Sequence, residues 1–73
     1  LRSRIAMFLL DTQKRQGSLT FDLSYNREEL ASLLGANRSA LSRELSRMQE
    51  EKIISFYKSS FKIEDMQKLK NCL

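Results

Sequence analysis

NREELASLLGANRSALSRELSRMQEE, residues 26–51, carries two helical patterns separated by a short joint, and its reading decides the fold. Asn26 opens the first pattern. Its side-chain oxygen can accept a hydrogen bond from an early free amide, and Glu29 can reach back to the Asn26 amide, an asparagine version of the capping box. Leu30, Ala31, Leu33 and Leu34 supply the expected buried stripe. Gly35 can enter the left-handed backbone region that ends a helix, and Asn37 is placed to cap a new helix from Arg38. The joint is three residues long on this reading. Two helices joined so tightly, with glycine in the joint and apolar residues on both sides, have the pattern of a helix-turn-helix, with a plain helical hairpin as the alternative.

The second helix of the pair, residues 38–51, has two unlike faces. At about 100° per residue, Ala40, Leu41, Leu45 and Met48 fall on one side, and Ser39, Ser42, Arg43, Ser46 and Arg47 on the other. Serines are short enough to let a helix approach a groove closely, and arginines reach phosphates or bind a guanine edge in bidentate fashion. An ordinary solvated face is the competing reading, although glutamate or lysine would be its usual filler. Glu50 is the one acid expected near the basic face.

Toward the N-terminus, Leu1, Ile5, Phe8 and Leu9 recur at helical spacing over residues 2–15, and Gly17-Ser18 stops that helix. Leu19-Thr20-Phe21-Asp22-Leu23 alternates like a short strand with one face buried. Toward the C-terminus, Glu50, Glu51 and Lys52 close the second helix, and Ile53–Tyr57 has the β-branched and aromatic content of a strand. Lys58-Ser59-Ser60 reads as a polar turn and Phe61-Lys62-Ile63 as the return strand, so residues 53–63 are expected to form a wing with Lys58 and Lys62 at or near its tip. Met66, Leu69 and Leu73 mark a short final helix, with Glu64 and Asp65 favourably placed at its N-terminus. The fold expected is α+β: one winged helix-turn-helix domain over residues 1–73, with a three-helix core, a small hairpin wing and a short C-terminal helix.

Composition narrows the function classes. The chain has 73 residues and a formal net charge of +4, a mild bias that suits an anionic partner, so the location of the charge must decide. It has no histidine and a single cysteine, Cys72, read as an incidental thiol. The usual general base and the common metal-ligand clusters are therefore missing, and neither enzymatic activity, a metal nor a cofactor is expected. No apolar run is long enough to cross a membrane and no leader pattern opens the chain, so a cytoplasmic setting is expected. Because the chain opens on Leu1, it is expected to be a piece of a longer protein.

The order of these elements resembles the C-terminal domain of the Crp-Fnr family of bacterial transcription regulators. Arg4-Ile5-Ala6 with Leu9-Leu10 is similar to that family's first helix. Asn26–Ala31 through Leu34-Gly35 is similar to its scaffold helix and turn, and Asn37–Arg43 through Leu45 to its recognition helix. The resemblance implies that Arg38 and Arg43 contact bases or nearby phosphates and that Asn26 and Arg27 touch the DNA backbone. It further implies a sensor domain that precedes this one, a homodimer in the intact regulator, and RNA polymerase as a further partner. Two departures stand out. Ser39 replaces the family's usual glutamate, and a serine hydroxyl can pair with almost any base, so the operator is not transferable. Lys52 stands where the family usually has glycine; a left-handed backbone there would cost roughly 1 kcal/mol relative to glycine.

The expected interface therefore comprises Arg38, Ser39, Ser42, Arg43, Ser46 and Arg47, flanked by Asn26, Arg27, Asn37 and Lys58, with double-stranded DNA as partner. A winged-helix module for protein contacts is the main alternative, and would call for apolar residues on the exposed face. An RNA-binding role is disfavoured because Tyr25, Phe56 and Tyr57 are too scattered for a stacking platform.

Overall fold

The computed structural model describes all 73 residues. In chain order the elements are α1 (Arg2–Gln16), β1 (Thr20–Asp22), α2 (Arg27–Leu33), α3 (Arg38–Glu50), β2 (Ile54–Tyr57), β3 (Ser60–Ile63) and α4 (Met66–Lys70). This is a winged helix-turn-helix. Helix α1 ends where Gly17 turns left-handed, at φ 65°, and its amide reaches back to the Gln13 carbonyl.

The joint between α2 and α3 spans residues 34–37, one residue longer than the sequence suggested. Its hydrogen bonds are those of a Schellman motif: the Ala36 amide donates to the Ala31 carbonyl at 2.9 Å and the Gly35 amide to Ser32 at 3.1 Å, with Gly35 at φ 69°. The end of α3 repeats the motif. There the Ile53 amide donates to Met48 and the Lys52 amide to Gln49, and Lys52 takes the left-handed position at φ 63°. Met48 and Ile53 are both buried beneath it, the apolar contact that accompanies such a cap. Lys52 thus holds a glycine-favouring conformation because the cap and the contact below it require the turn.

The wing is larger than a hairpin. β2 and β3 pair antiparallel with Tyr57 opposite Ser60, so the turn contains only Lys58 and Ser59, and β1 joins the other edge of β3 with Phe21 opposite Phe61. The sheet order is β1-β3-β2. Lys62 is not near the tip: it lies inside β3, paired with Thr20 and Ser55, its amine 3.9 Å from Glu64.

The core joins α1, α3, the sheet and α4 through Ile5, Leu9, Leu41, Leu45, Met48, Ile54, Phe61 and Leu69, all fully buried. Thr12, the one buried polar residue, donates to the Phe8 carbonyl, and no buried side-chain polar atom lacks a partner. Three apolar residues expected inside are outside: Leu19, Leu33 and Leu73. Leu33 is 55% exposed because Leu30, Ala31 and Leu34 centre the buried stripe of α2 well away from its azimuth. Leu19 lies ahead of the first residue of β1, and Leu73 lies beyond the end of α4.

Candidate nucleic-acid interface

Helix α3 presents the face that its periodicity predicts. Leu41, Leu45 and Met48 are buried, Ala40 is half-buried, and Arg38, Ser39, Ser42, Arg43, Ser46 and Arg47 are all exposed. The two helices of the pair are capped as expected. Asn26 Oδ1 accepts from the Glu29 amide at 2.8 Å while Glu29 Oε1 accepts from the Asn26 amide at 2.9 Å, and Asn37 Oδ1 accepts from the Ala40 amide at 2.8 Å. Both asparagines are exposed and fix where their helices begin.

The arginines of this surface differ in how free they are. Arg43 makes no ion pair or side-chain hydrogen bond with the rest of the chain. Arg38 lies 4.0 Å from the Glu28 carboxylate, and Arg47 lies 3.5 Å from Glu44. Glu44 is itself drawn inward by Arg2, which donates to it through Nε and grips Glu51 in bidentate fashion at 2.9 and 2.7 Å. Those bonds push the Arg2 guanidinium above its ordinary pKa and hold the Glu51 carboxyl below its own. The acids beside this face are thus Glu28 and Glu44, where the sequence points to Glu50 alone. The Glu44–Arg47 pair is nonetheless legible in the sequence, because residues three apart on a helix are neighbours, whereas the approach of Glu28 to Arg38 depends on how α2 sits against α3.

Arg27 is half-buried. Its Nη2 donates to the Lys58 carbonyl at 2.7 Å, and its guanidinium carbon lies 5.3 Å from the Phe56 ring centroid and 5.0 Å from that of Phe61. Burial lowers its pKa, and the charge of nearby Arg38 lowers it further. The start of α2, the start of α3 and the wing turn therefore converge. Lys58 is exposed at φ 54°, with its amine 5.4 Å from the Tyr57 ring centroid. Asn26, Arg27, Asn37 and Arg38 sit at the two helix N-termini, Ser39, Ser42, Arg43, Ser46 and Arg47 line the outward face of α3, and Lys58 joins them through Arg27.

No group of three or more His, Cys, Asp or Glu side chains is placed to hold a metal ion, and no helix is long and apolar enough to cross a membrane.

Residues 3–72 match the family model of the Crp-like helix-turn-helix domain. Solved structures share the fold. A transcriptional regulator of the Crp/Fnr family from Eubacterium rectale superposes with a TM-score of 0.85 at 26% identity, over 99% of this chain and 32% of its own. FixK2 from Bradyrhizobium japonicum gives 0.87 at 25% identity, over 97% of this chain and 37% of its own. The CO-dependent transcription factor CooA from Carboxydothermus hydrogenoformans gives 0.87 at 27% identity, over 97% and 35%. The chain thus spans about a third of the length of each of these proteins. No curated protein sequence matches it significantly. With the family's model matched over nearly its whole length and its fold shared with three such regulators, the chain belongs to the Crp-like helix-turn-helix domains of Crp/Fnr transcription regulators, a family whose work is DNA binding rather than catalysis.

Proposed function

We propose that the domain binds duplex DNA sequence-specifically, with α3 lying in the major groove. The observation that carries this reading is the outward face of α3: Arg38, Ser39, Ser42, Arg43, Ser46 and Arg47 are exposed together, with no apolar side chain between them. In this arrangement Arg43, free of partners, reads a base edge. Arg38 and Arg47 meet bases or flanking phosphates. Ser39, Ser42 and Ser46 allow close approach and pair with base edges or phosphates at short range. Asn26 and Asn37 sit where the unpaired amides of α2 and α3 can meet the backbone, and Lys58 brings the wing to a phosphate. Arg27 belongs to the surface through the wing that it holds.

A protein-contact role would favour an apolar exposed face. None of the strongly exposed apolar side chains lies on α3: Met7 is on α1, Leu33 on α2, Tyr57 in the wing and Leu73 beyond α4. In the intact regulator the domain follows a sensor domain and works as a cytoplasmic homodimer. Its two α3 helices then enter successive major grooves about 34 Å apart on a near-palindromic site, within reach of RNA polymerase.

The test is a salt titration of binding to a duplex selected from a random pool. Each phosphate neutralised contributes about −0.9 to the slope of log affinity against log salt, so three or four contacts give a slope near −3. Affinity that does not change with salt contradicts the reading and favours the protein-contact role.

A further inference from the structure

Arg27 differs from the exposed cations of the proposed interface in that its guanidinium is half-buried, lies against two aromatic rings and donates to a backbone carbonyl. Phe56 of β2 and Phe61 of β3 are cross-strand partners, stacked with centroids 5.4 Å apart, and Arg27 lies against both rings. Its Nη2 donates at 2.7 Å to the carbonyl of Lys58, the first residue of the wing turn. A planar, forked cation suits this position: one face covers the rings while an edge N–H points along a carbonyl. An ammonium is a point charge and cannot do both in one geometry.

The turn has few other ties. Ser59 accepts from the Leu23 amide at 2.9 Å, and Ser60 at the turn's edge donates to Asp22, both on the β1 side. Among hydrogen bonds to the two turn residues, the one from Arg27 is the link to the helix-turn-helix. A lysine held at φ 54° also adds strain, so the turn needs an external hold to keep one conformation.

We propose that Arg27 is the positioning residue of the wing: it locks the Lys58 turn to the start of α2, presenting Lys58 at a fixed place relative to α3, and does not itself grip a phosphate. Its effect on DNA rests on the function proposed above, whereas the clamp itself is a property of the free chain. Two measurements separate them.

The first is 15N relaxation on the 73-residue chain without DNA. Lys58 and Ser59 are expected at rigid order parameters of about 0.85, falling below about 0.6 in Arg27→Ala and in Arg27→Lys, while Leu41 and Leu45 stay rigid. Should Arg27→Ala unfold, Arg27→Lys, which keeps the charge and the aliphatic stem, carries the same reading. Unchanged order at Lys58 and Ser59 in the folded variants overturns the clamp.

The second is duplex binding by Arg27→Ala, Lys58→Ala and the double variant. A clamp makes the double variant no weaker than the weaker single variant, with a total loss in salt slope of about 0.9, one phosphate contact. Losses that multiply, a slope reduced by about twice that amount, or full rescue by Arg27→Lys make Arg27 a phosphate anchor and overturn the proposal. If Lys58→Ala binds duplex as tightly as the unmodified chain, the wing contact of the proposed function fails, and the order parameters alone decide the clamp.

Discussion

Arg43 and Lys52 show how much one residue's surroundings decide. Arg43 has no side-chain partner in the free domain, so the base contact proposed for it breaks no ion pair. Arg43→Ala is expected to weaken binding to the preferred site by about 1–3 kcal/mol and to relax preference at one base pair. Affinities for the preferred site, a one-base variant and random duplex check this; equal losses on all three would make Arg43 a phosphate contact. Lys52 sits in the left-handed cap of α3. Lys52→Gly should therefore stabilise the domain by roughly 1 kcal/mol in thermal melts, with an unchanged melting temperature contradicting the strain. The outward phase of α3 was legible because helical periodicity is a local property of the sequence. The setting of Arg27 was not: its aromatic partners come from the wing, and no local pattern announces a contact across the sheet.

At the scale of elements, the α2–α3 pair is specified almost entirely by local chemistry. Two asparagine caps start the helices and a Schellman turn at Gly35 joins them, each a short-range hydrogen-bond pattern that the residues themselves dictate. The phase of α3 can be tested with neighbouring positions. Leu45→Asp places a carboxylate in the core, so it should lose at least the roughly 2–5 kcal/mol of a buried Leu→Ala change and unfold a domain of this size. Ser46→Asp should stay folded and weaken duplex binding by placing a negative charge toward phosphates. Circular dichroism melts and binding of both variants decide it, and the reverse pattern would invalidate the phase. The hairpin was also legible, since its two strands are neighbours in sequence. The pairing of β1 with β3 was not, because a strand of three residues carries no signal for a partner on the far side of the helix-turn-helix.

For the whole molecule, Arg2 ties the start of α1 to the acidic end of α3 and brings a dependence on acid. It holds the folded Glu51 carboxyl below the ordinary value of 4.5, so the unfolded chain binds that proton more readily. The stabilisation is therefore present above about that pH and lost as pH falls toward the depressed value. Arg2→Ala should melt lower than the unmodified chain at pH 6, with the gap narrowing by pH 3; a constant gap would deny the linkage. The larger claim is that the exposed face of α3, with the wing turn beside it, is where the molecule meets DNA. Titrating the 15N-labelled chain with a selected duplex tests it most directly. The largest amide shifts are expected at Ser39, Ser42, Arg43, Ser46, Arg47 and Lys58. Shifts centred instead on Met7 and Leu33, or no shifts with any duplex, would contradict it.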